Sequence, residues 1–245
     1  MFLYMPGIGL VSTCLASSEL RSCGDVCSPD GIGLRTEGSA SKGRIRVFNG
    51  SPKPLPMTIV VSPFDVDETG GVSRQPVDRE LRIFPSRTIM PPGAAQTFQV
   101  RWVGDPQIGS SRNYILSIDE APQKWTAGRS GIQVVFSFDA IVNVAPMTGS
   151  SAIKLLNSSV VNDESGKPRP MITVQNPGNV YARLSDATIT LSGSGWLKTV
   201  SPKDMHPSMG VGLVQPGKKR RFLLPVELPP NVTDVTASIN YQPVK

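Results

Sequence analysis

The chain has 245 residues, enough for two all-β domains of about 100 residues each. Its 39% hydrophobic content, with 23 glycines and 23 prolines spread along the chain, belongs to a globular protein with many turns rather than to a disordered or helical one. Lysine and arginine outnumber aspartate and glutamate by 25 to 19, a net charge of +6 that suits anionic partners but is no nucleic-acid motif, and no apolar run approaches the ~20 residues needed to cross a bilayer.

Residues 1–18 are uncharged and mildly apolar, and Leu15-Ala16-Ser17-Ser18 resembles the end of a signal peptide, although the first charge is Glu19. Residues 1–27 are therefore read as a signal-like or ill-defined segment. Cys14, Cys23 and Cys27 are the only cysteines, so the cores downstream must stand on burial without a disulfide. Cys23 and Cys27 make half a zinc site at most, since no second cysteine pair follows and His206 is the lone histidine. No metal and no cofactor are expected.

From Arg44 onward, short β-prone runs alternate with turn clusters. Arg44–Phe48 ends at Asn49-Gly50-Ser51-Pro52, and Met57–Val66 ends at Asp67-Glu68-Thr69-Gly70-Gly71. Leu81–Phe84 precedes Pro85, and Pro91-Pro92-Gly93 turns the chain into Gln96–Trp102, where Phe98, Val100 and Trp102 fall on one face and Thr97, Gln99 and Arg101 on the other. Tyr114, Leu116 and Ile118 repeat that pattern. After Pro146 the series restarts with Ala152–Val160, Met171–Gln175, Ala182–Leu191, Lys218–Leu228 and Val235–Tyr241. Two β-sandwiches in tandem are expected, 28–146 and 147–245.

Ile132–Val144 is the most informative stretch, because neither glycine nor proline interrupts it. At ~3.3 Å per residue it would extend roughly 43 Å, well over twice a common strand. Ile132, Val134, Phe136, Phe138, Ala140, Val142 and Val144 make one face wholly apolar, while Gln133, Ser137, Asp139 and Asn143 interrupt the other. An apolar strand edge that outruns its own domain is either an aggregation hazard or a binding device.

Four stretches in order carry a resemblance: Gly43–Asn49, Ser111–Pro122, the long strand ending at Pro146, and Val174-Gln175-Asn176-Pro177-Gly178-Asn179. From about Ser28 to the C-terminus the chain resembles the periplasmic pilus chaperones of the chaperone–usher (PapD-like) family. The resemblance implies two immunoglobulin-like domains and a long last strand of the first domain that completes an unfinished pilin by donor-strand complementation. By position the donor side chains are Ile132, Val134, Phe136 and Phe138. Better-known members grip the subunit's terminal carboxylate with an arginine in the first strand and a lysine in the long strand. The equivalent positions here are Gly33 and Ile141, and Arg35 is the candidate replacement. That departure, with Trp102-Val103-Gly104-Asp105-Pro106 and Gln215-Pro216-Gly217-Lys218, looks like the archaic branch. The resemblance further implies pilin subunits and an outer-membrane usher as partners, a periplasmic location, and no nucleic acid.

Rival readings have less behind them. His206, between Met205 and Pro207, reads as a loop residue without a nucleophile nearby, and no Gly-x-Ser-x-Gly elbow occurs, so no enzyme is expected. Lys218-Lys219-Arg220-Arg221 reads as edge charge that discourages strand pairing. Asn49, Asn157 and Asn231 open glycosylation sequons but are read as turns. The alternative function, a structural pilus subunit or adhesive β-sandwich protein, calls for an alternating apolar extension at the N-terminus, whereas here it lies mid-chain with a whole domain after it.

Overall fold

The computed structural model describes residues 20–21, 31–77, 79–121, 137–209 and 212–243. Of these, 20–64 and 74–147 form one compact unit, and 65–73 with 148–243 form the other. The strands run β1 Leu20–Arg21, β2 Ile32–Arg35, β3 Lys42–Asn49, β4 Leu55–Val66, β5 Val72–Arg74, β6 Leu81–Phe84, β7 Arg87–Met90, β8 Ala95–Trp102, β9 Arg112–Glu120 and β10 Ser137–Ala145. They continue as β11 Lys154–Asn162, β12 Pro168–Gln175, β13 Ala182–Arg183, β14 Ala187–Gly193, β15 Trp196–Val200, β16 Leu213–Val214, β17 Lys219–Leu223 and β18 Thr236–Tyr241, with one α-helix, α1, at Pro202–Met209. Among the described residues no helix is long and apolar enough to cross a membrane.

The earlier strands form a four-stranded sheet ordered β1-β3-β8-β6 and a larger one ordered β2-β10-β9-β4-β5, with β7 also on β4. The later ones form β11-β12-β17, β15-β14-β18 and the pair β13-β16. Each unit has its own core, as an immunoglobulin-like sandwich requires. In the first, alternation works as expected: Phe98, Val100 and Trp102 point in, while Thr97, Gln99 and Arg101 stay exposed. They share a core with Ile45 from the neighbouring strand and with Leu116, Val142 and Val144 from the other sheet. The indole of Trp102 lies 6.1 Å from the Tyr114 ring, and the Tyr114 hydroxyl donates to Glu80 at 2.8 Å. The second core gathers Ile172, Val174, Ile189, Leu191 and Phe222. Burying one such side chain contributes roughly 1.5–3 kcal/mol.

The structure departs from the sequence reading in four places: Asn157, read as a turn, lies within β11, Lys218–Leu228 is a strand only over Lys219–Leu223, and two segments change character. Ala182–Leu191 is not one strand: a 3₁₀ turn at Leu184–Asp186 separates β13 from β14. Its buried residues show why, because the inward positions change from Ala182 and Leu184 to Ala187, Ile189 and Leu191, a slip from even to odd numbers. The stretch around His206 is not a loop but lies in α1. Ser201 starts it, its backbone N–H and hydroxyl both donating to Asp204 Oδ2 at 2.9 and 2.7 Å; Pro202 is pre-set for a first helical position, and fully buried Met205 anchors the turn.

The two sandwiches share one construction at the end of a central strand. Asn49, closing β3, donates to the carbonyls of Lys53 and Met90, each at 2.9 Å, and of Pro91 at 3.1 Å, while its Oδ1 accepts from the Ser51 N–H. Asn176, just after β12, donates to Val180 and Val214 and accepts from Gly178 and Ala152. In both, the asparagine backbone clasps a Pro-Gly turn: Gly93 N–H to Asn49 O and Gly217 N–H to Asn176 O. Those glycines have φ of 67° and 72°, the left-handed region that a side chain disfavours. Both asparagines are fully buried.

Candidate functional site

Strand β10 carries the functional expectation, and its two ends are held differently. Near its end Val142–Val144 pair on both sides, antiparallel with β9 and parallel with β2, and the β2 ladder, Val142↔Ile32, Asn143↔Gly33, Val144↔Leu34 and Ala145↔Arg35, runs one residue further. Gly31, with φ of 78°, meets the Ile141 carbonyl so closely that a Cβ there would stand 2.7 Å from the oxygen. Upstream of that contact, Ser137–Ala140 keep only the β9 ladder, from Ser137↔Asp119 to Ala140↔Leu116. Among the described residues their other edge has no strand partner.

Burial follows the same gradient. On the even face Val144 and Val142 are fully buried, Ala140 is half-buried against the core, and Phe138 is 38% exposed. The odd face is tied down by polar groups. Ser137 Oγ donates to Asp119 Oδ1 at 2.6 Å, Ser117 Oγ donates to Asp139 Oδ1 at 2.7 Å, and the Arg74 guanidinium binds both Asp139 and the Ser117 hydroxyl. Deeper in, Asn113 donates to Asn143 at 2.6 Å. These contacts fix the register of an overhanging strand and leave its even face to pack elsewhere.

Phe138 thus stands at the exposed start of the described strand, while Ile132, Val134 and Phe136 lie outside the described residues. At the two anchor positions the chain has no cation: Gly33 is exposed opposite Asn143, and Ile141 is half-buried opposite Ile115. Arg35 is half-buried on β2, where its guanidinium donates to the Pro146 carbonyl at 2.8 Å, holding the end of β10. Sequence reasoning missed Arg74, Ser117 and Asp119. Their signal was the polar set at alternate positions Ser117 and Asp119, matching Ser137 and Asp139 on the long strand. Cys14, Cys23 and Cys27 lie outside the described residues, and among those described no cluster of three potential metal ligands occurs.

No protein-family model matches the sequence, and no curated protein matches it. Solved structures do match. The class 5 fimbriae chaperone CfaA is similar over 89% of this chain and 92% of its own, at 16% identity and a TM-score of 0.52. The fold is that of the fimbrial chaperones. A chain from a chaperone–tip adhesin complex of CFA/I fimbriae biogenesis gives 16% identity and a TM-score of 0.50, covering 87% of this chain and 91% of that one. The CsuC–CsuE chaperone–tip subunit complex of archaic Csu pili from Acinetobacter baumannii gives 12% identity and 0.47, covering 79% and 87%. Within this fold β10 is the last strand of the first sandwich, so the exposed even face at Phe138 begins where the first core ends.

Proposed function

We propose that the protein is a periplasmic chaperone for fimbrial subunits, which captures a pilin by lending it the strand that runs from Ile132 through Phe138 and delivers it to an outer-membrane usher. The observation that carries this reading is the one-sided pairing of Ser137–Ala140 beside an apolar face that leaves the core at Phe138. An open edge offers backbone N–H and C=O groups to a partner strand, and alternate side chains fill the partner's groove. The fold shared with fimbrial chaperones supports it. The capturing domain is taken as 28–146, save 65–73, which group with the second domain, 147–245. The work is binding without turnover, with no ATP or cofactor. Arg35 is the candidate carboxylate anchor: one of its five N–H donors holds the Pro146 carbonyl, and a carboxylate would take others.

Co-expression with the fimbrial subunits of the same host tests the reading: a subunit should co-purify with the chain at equal stoichiometry. Val134→Asp should abolish capture, since an unpaired carboxylate in an apolar groove costs several kcal/mol and the lost side chain roughly 1.5–3 kcal/mol more. Unfolding of the free chain should shift by less than about 0.5 kcal/mol. A variant that still captures the subunit, or one that is itself destabilised by several kcal/mol, refutes the donor-strand role.

A further inference from the structure

The four-stranded sheet turns Ile45, Val47, Leu81, Phe98 and Val100 to its core, which leaves the alternate positions facing outward. Those positions carry Lys42, Arg44 and Arg46 on β3, Thr97, Gln99 and Arg101 on β8, and Arg82 and Phe84 on β6. The register sets Lys42, Arg101 and Arg82 side by side in one row across three strands, and Arg44, Gln99 and Phe84 in the next. The five cations are exposed, and no aspartate or glutamate occupies an outward position on these strands. Phe84 at the edge is 74% exposed.

Like charges directly opposite each other destabilise a sheet, so three cations in one row oppose the fold they sit on. Elsewhere the chain neutralises such charge. Within the second unit Lys218 pairs with Asp65 at 3.7 Å and Arg221 with Glu68 at 3.1 Å. Among the described residues Lys42, Arg44, Arg82 and Arg101 form no salt bridge.

We propose that this face docks on an anionic phospholipid bilayer. Four of its five cations are guanidinium groups, whose forked donors match phosphate oxygens, and an exposed aromatic at the rim of a cationic face is suited to the headgroup layer. A bilayer brings phosphates that move sideways to meet the cations wherever the register puts them, whereas a folded acidic partner would have to match both rows. The face belongs to a different sheet from β10, so lipid docking and subunit capture are separable.

The test is co-sedimentation of the full chain with phosphatidylcholine vesicles made with and without phosphatidylglycerol. Binding should require phosphatidylglycerol and weaken as salt is raised. Each cation near an anionic surface strengthens association about fivefold, so Arg82→Gln with Arg101→Gln should weaken it about 25-fold. A control pair on the second unit, Lys154→Gln with Lys203→Gln, should weaken it less than about twofold. The double variant should melt no lower than the parent, because the row of like charges is relieved; if it does melt lower, the single Arg44→Gln variant, opposite neutral Gln99, decides by an approximately fivefold loss. Equal binding to neutral vesicles, an equal loss in the control pair, or complete displacement from vesicles by polyglutamate overturns the proposal, the last making an acidic polypeptide the occupant.

Discussion

The two sandwiches end on strands that are finished in opposite ways. In β18 the inward residues Ala237, Ile239 and Tyr241 all pack on their own core, and Thr236, Ser238 and Asn240 face away. The Tyr241 hydroxyl donates to Ser151 at 2.9 Å, and its burial raises its pKa. Each of those side chains packs on the domain that owns the strand. In β10 the inward face starts outside the core at Phe138 and reaches full burial only at Val142, and in the sequence the same apolar period continues upstream to Ile132. An apolar side chain left exposed at the start of a strand, as Phe138 is, offers surface for a second partner to cover. The difference therefore separates a strand that only closes its fold from the one on which the proposed donor role rests.

This difference stands out because so much else is repeated. Asn49 and Asn176 make the same corner, with an acceptor four residues on, a donor two residues on, and a Pro-Gly turn clasped by the backbone. Replacing either by alanine strands a buried carbonyl, Met90 or Val214, and unpairs the N–H two residues on, each costing about 1–3 kcal/mol, so Asn49→Ala and Asn176→Ala should each destabilise by roughly 2–5 kcal/mol. Denaturant unfolding checks this. A cost below about 1 kcal/mol at one of them would break the equivalence and show that only the other corner matters to stability.

The corners also show what could be read from the sequence. Asn49-Gly50-Ser51-Pro52, Pro91-Pro92-Gly93 and Gln215-Pro216-Gly217-Lys218 are visible as turn chemistry, and Asn176-Pro177-Gly178 carries part of the resemblance, yet each corner is built from segments some 40 residues apart and nothing local pairs them. Strand alternation was legible wherever one face is buried and the other wet, as in β8. It misled at Ala182–Leu191, where a 3₁₀ turn shifts the phase, and around His206, where Ser201, Pro202 and Asp204 start a helix that one buried methionine holds. At the candidate site the apolar face of the long strand was legible by period. Its polar fastening was not, because Arg74 lies 65 residues from Asp139 and only the folded register brings them together.

That fastening offers a milder way to sharpen the comparison. The Arg74–Asp139 pair is 46% and 30% exposed, so solvent screening keeps its global contribution below about 1 kcal/mol. Its local effect should be larger, because Arg74 also holds the Ser117 hydroxyl and Ser137–Ala140 have only one ladder to keep them in place. Arg74→Ala should speed amide exchange in residues 137–141 and reduce subunit capture, while leaving 236–241 unchanged. Equal acceleration in both last strands would mean general loosening and would remove the distinction between them.

The smallest effect expected concerns two hairpin turns of related sequence, Asp67-Glu68-Thr69-Gly70-Gly71 and Asp163-Glu164-Ser165-Gly166-Lys167. In each, one carboxylate oxygen accepts from the hydroxyl and backbone N–H two residues on, and from a backbone N–H four residues on. These donors favour the charged form, so both aspartates titrate below the ordinary carboxylate value of 3.8, led by the Thr69 hydroxyl for Asp67 and the Ser165 hydroxyl for Asp163. Asp163 has a further partner in Arg169, whose Nε donates to its second oxygen at 3.1 Å. A carboxylate whose folded pKa is depressed contributes stability that is fully present above its unfolded pKa and is lost as the pH falls toward the folded one. The melting temperature should therefore decline below about pH 4, and Asp163→Asn should flatten that decline because the neutral amide has no proton to take up. Asp67→Asn should flatten it less, there being among the described residues no guanidinium hydrogen-bonded to that carboxylate. Melting curves of the two variants between about pH 2 and pH 5 decide the matter, and a larger flattening from Asp67→Asn would mean that the hydroxyl and backbone donors, which both turns share, outweigh the Arg169 contact.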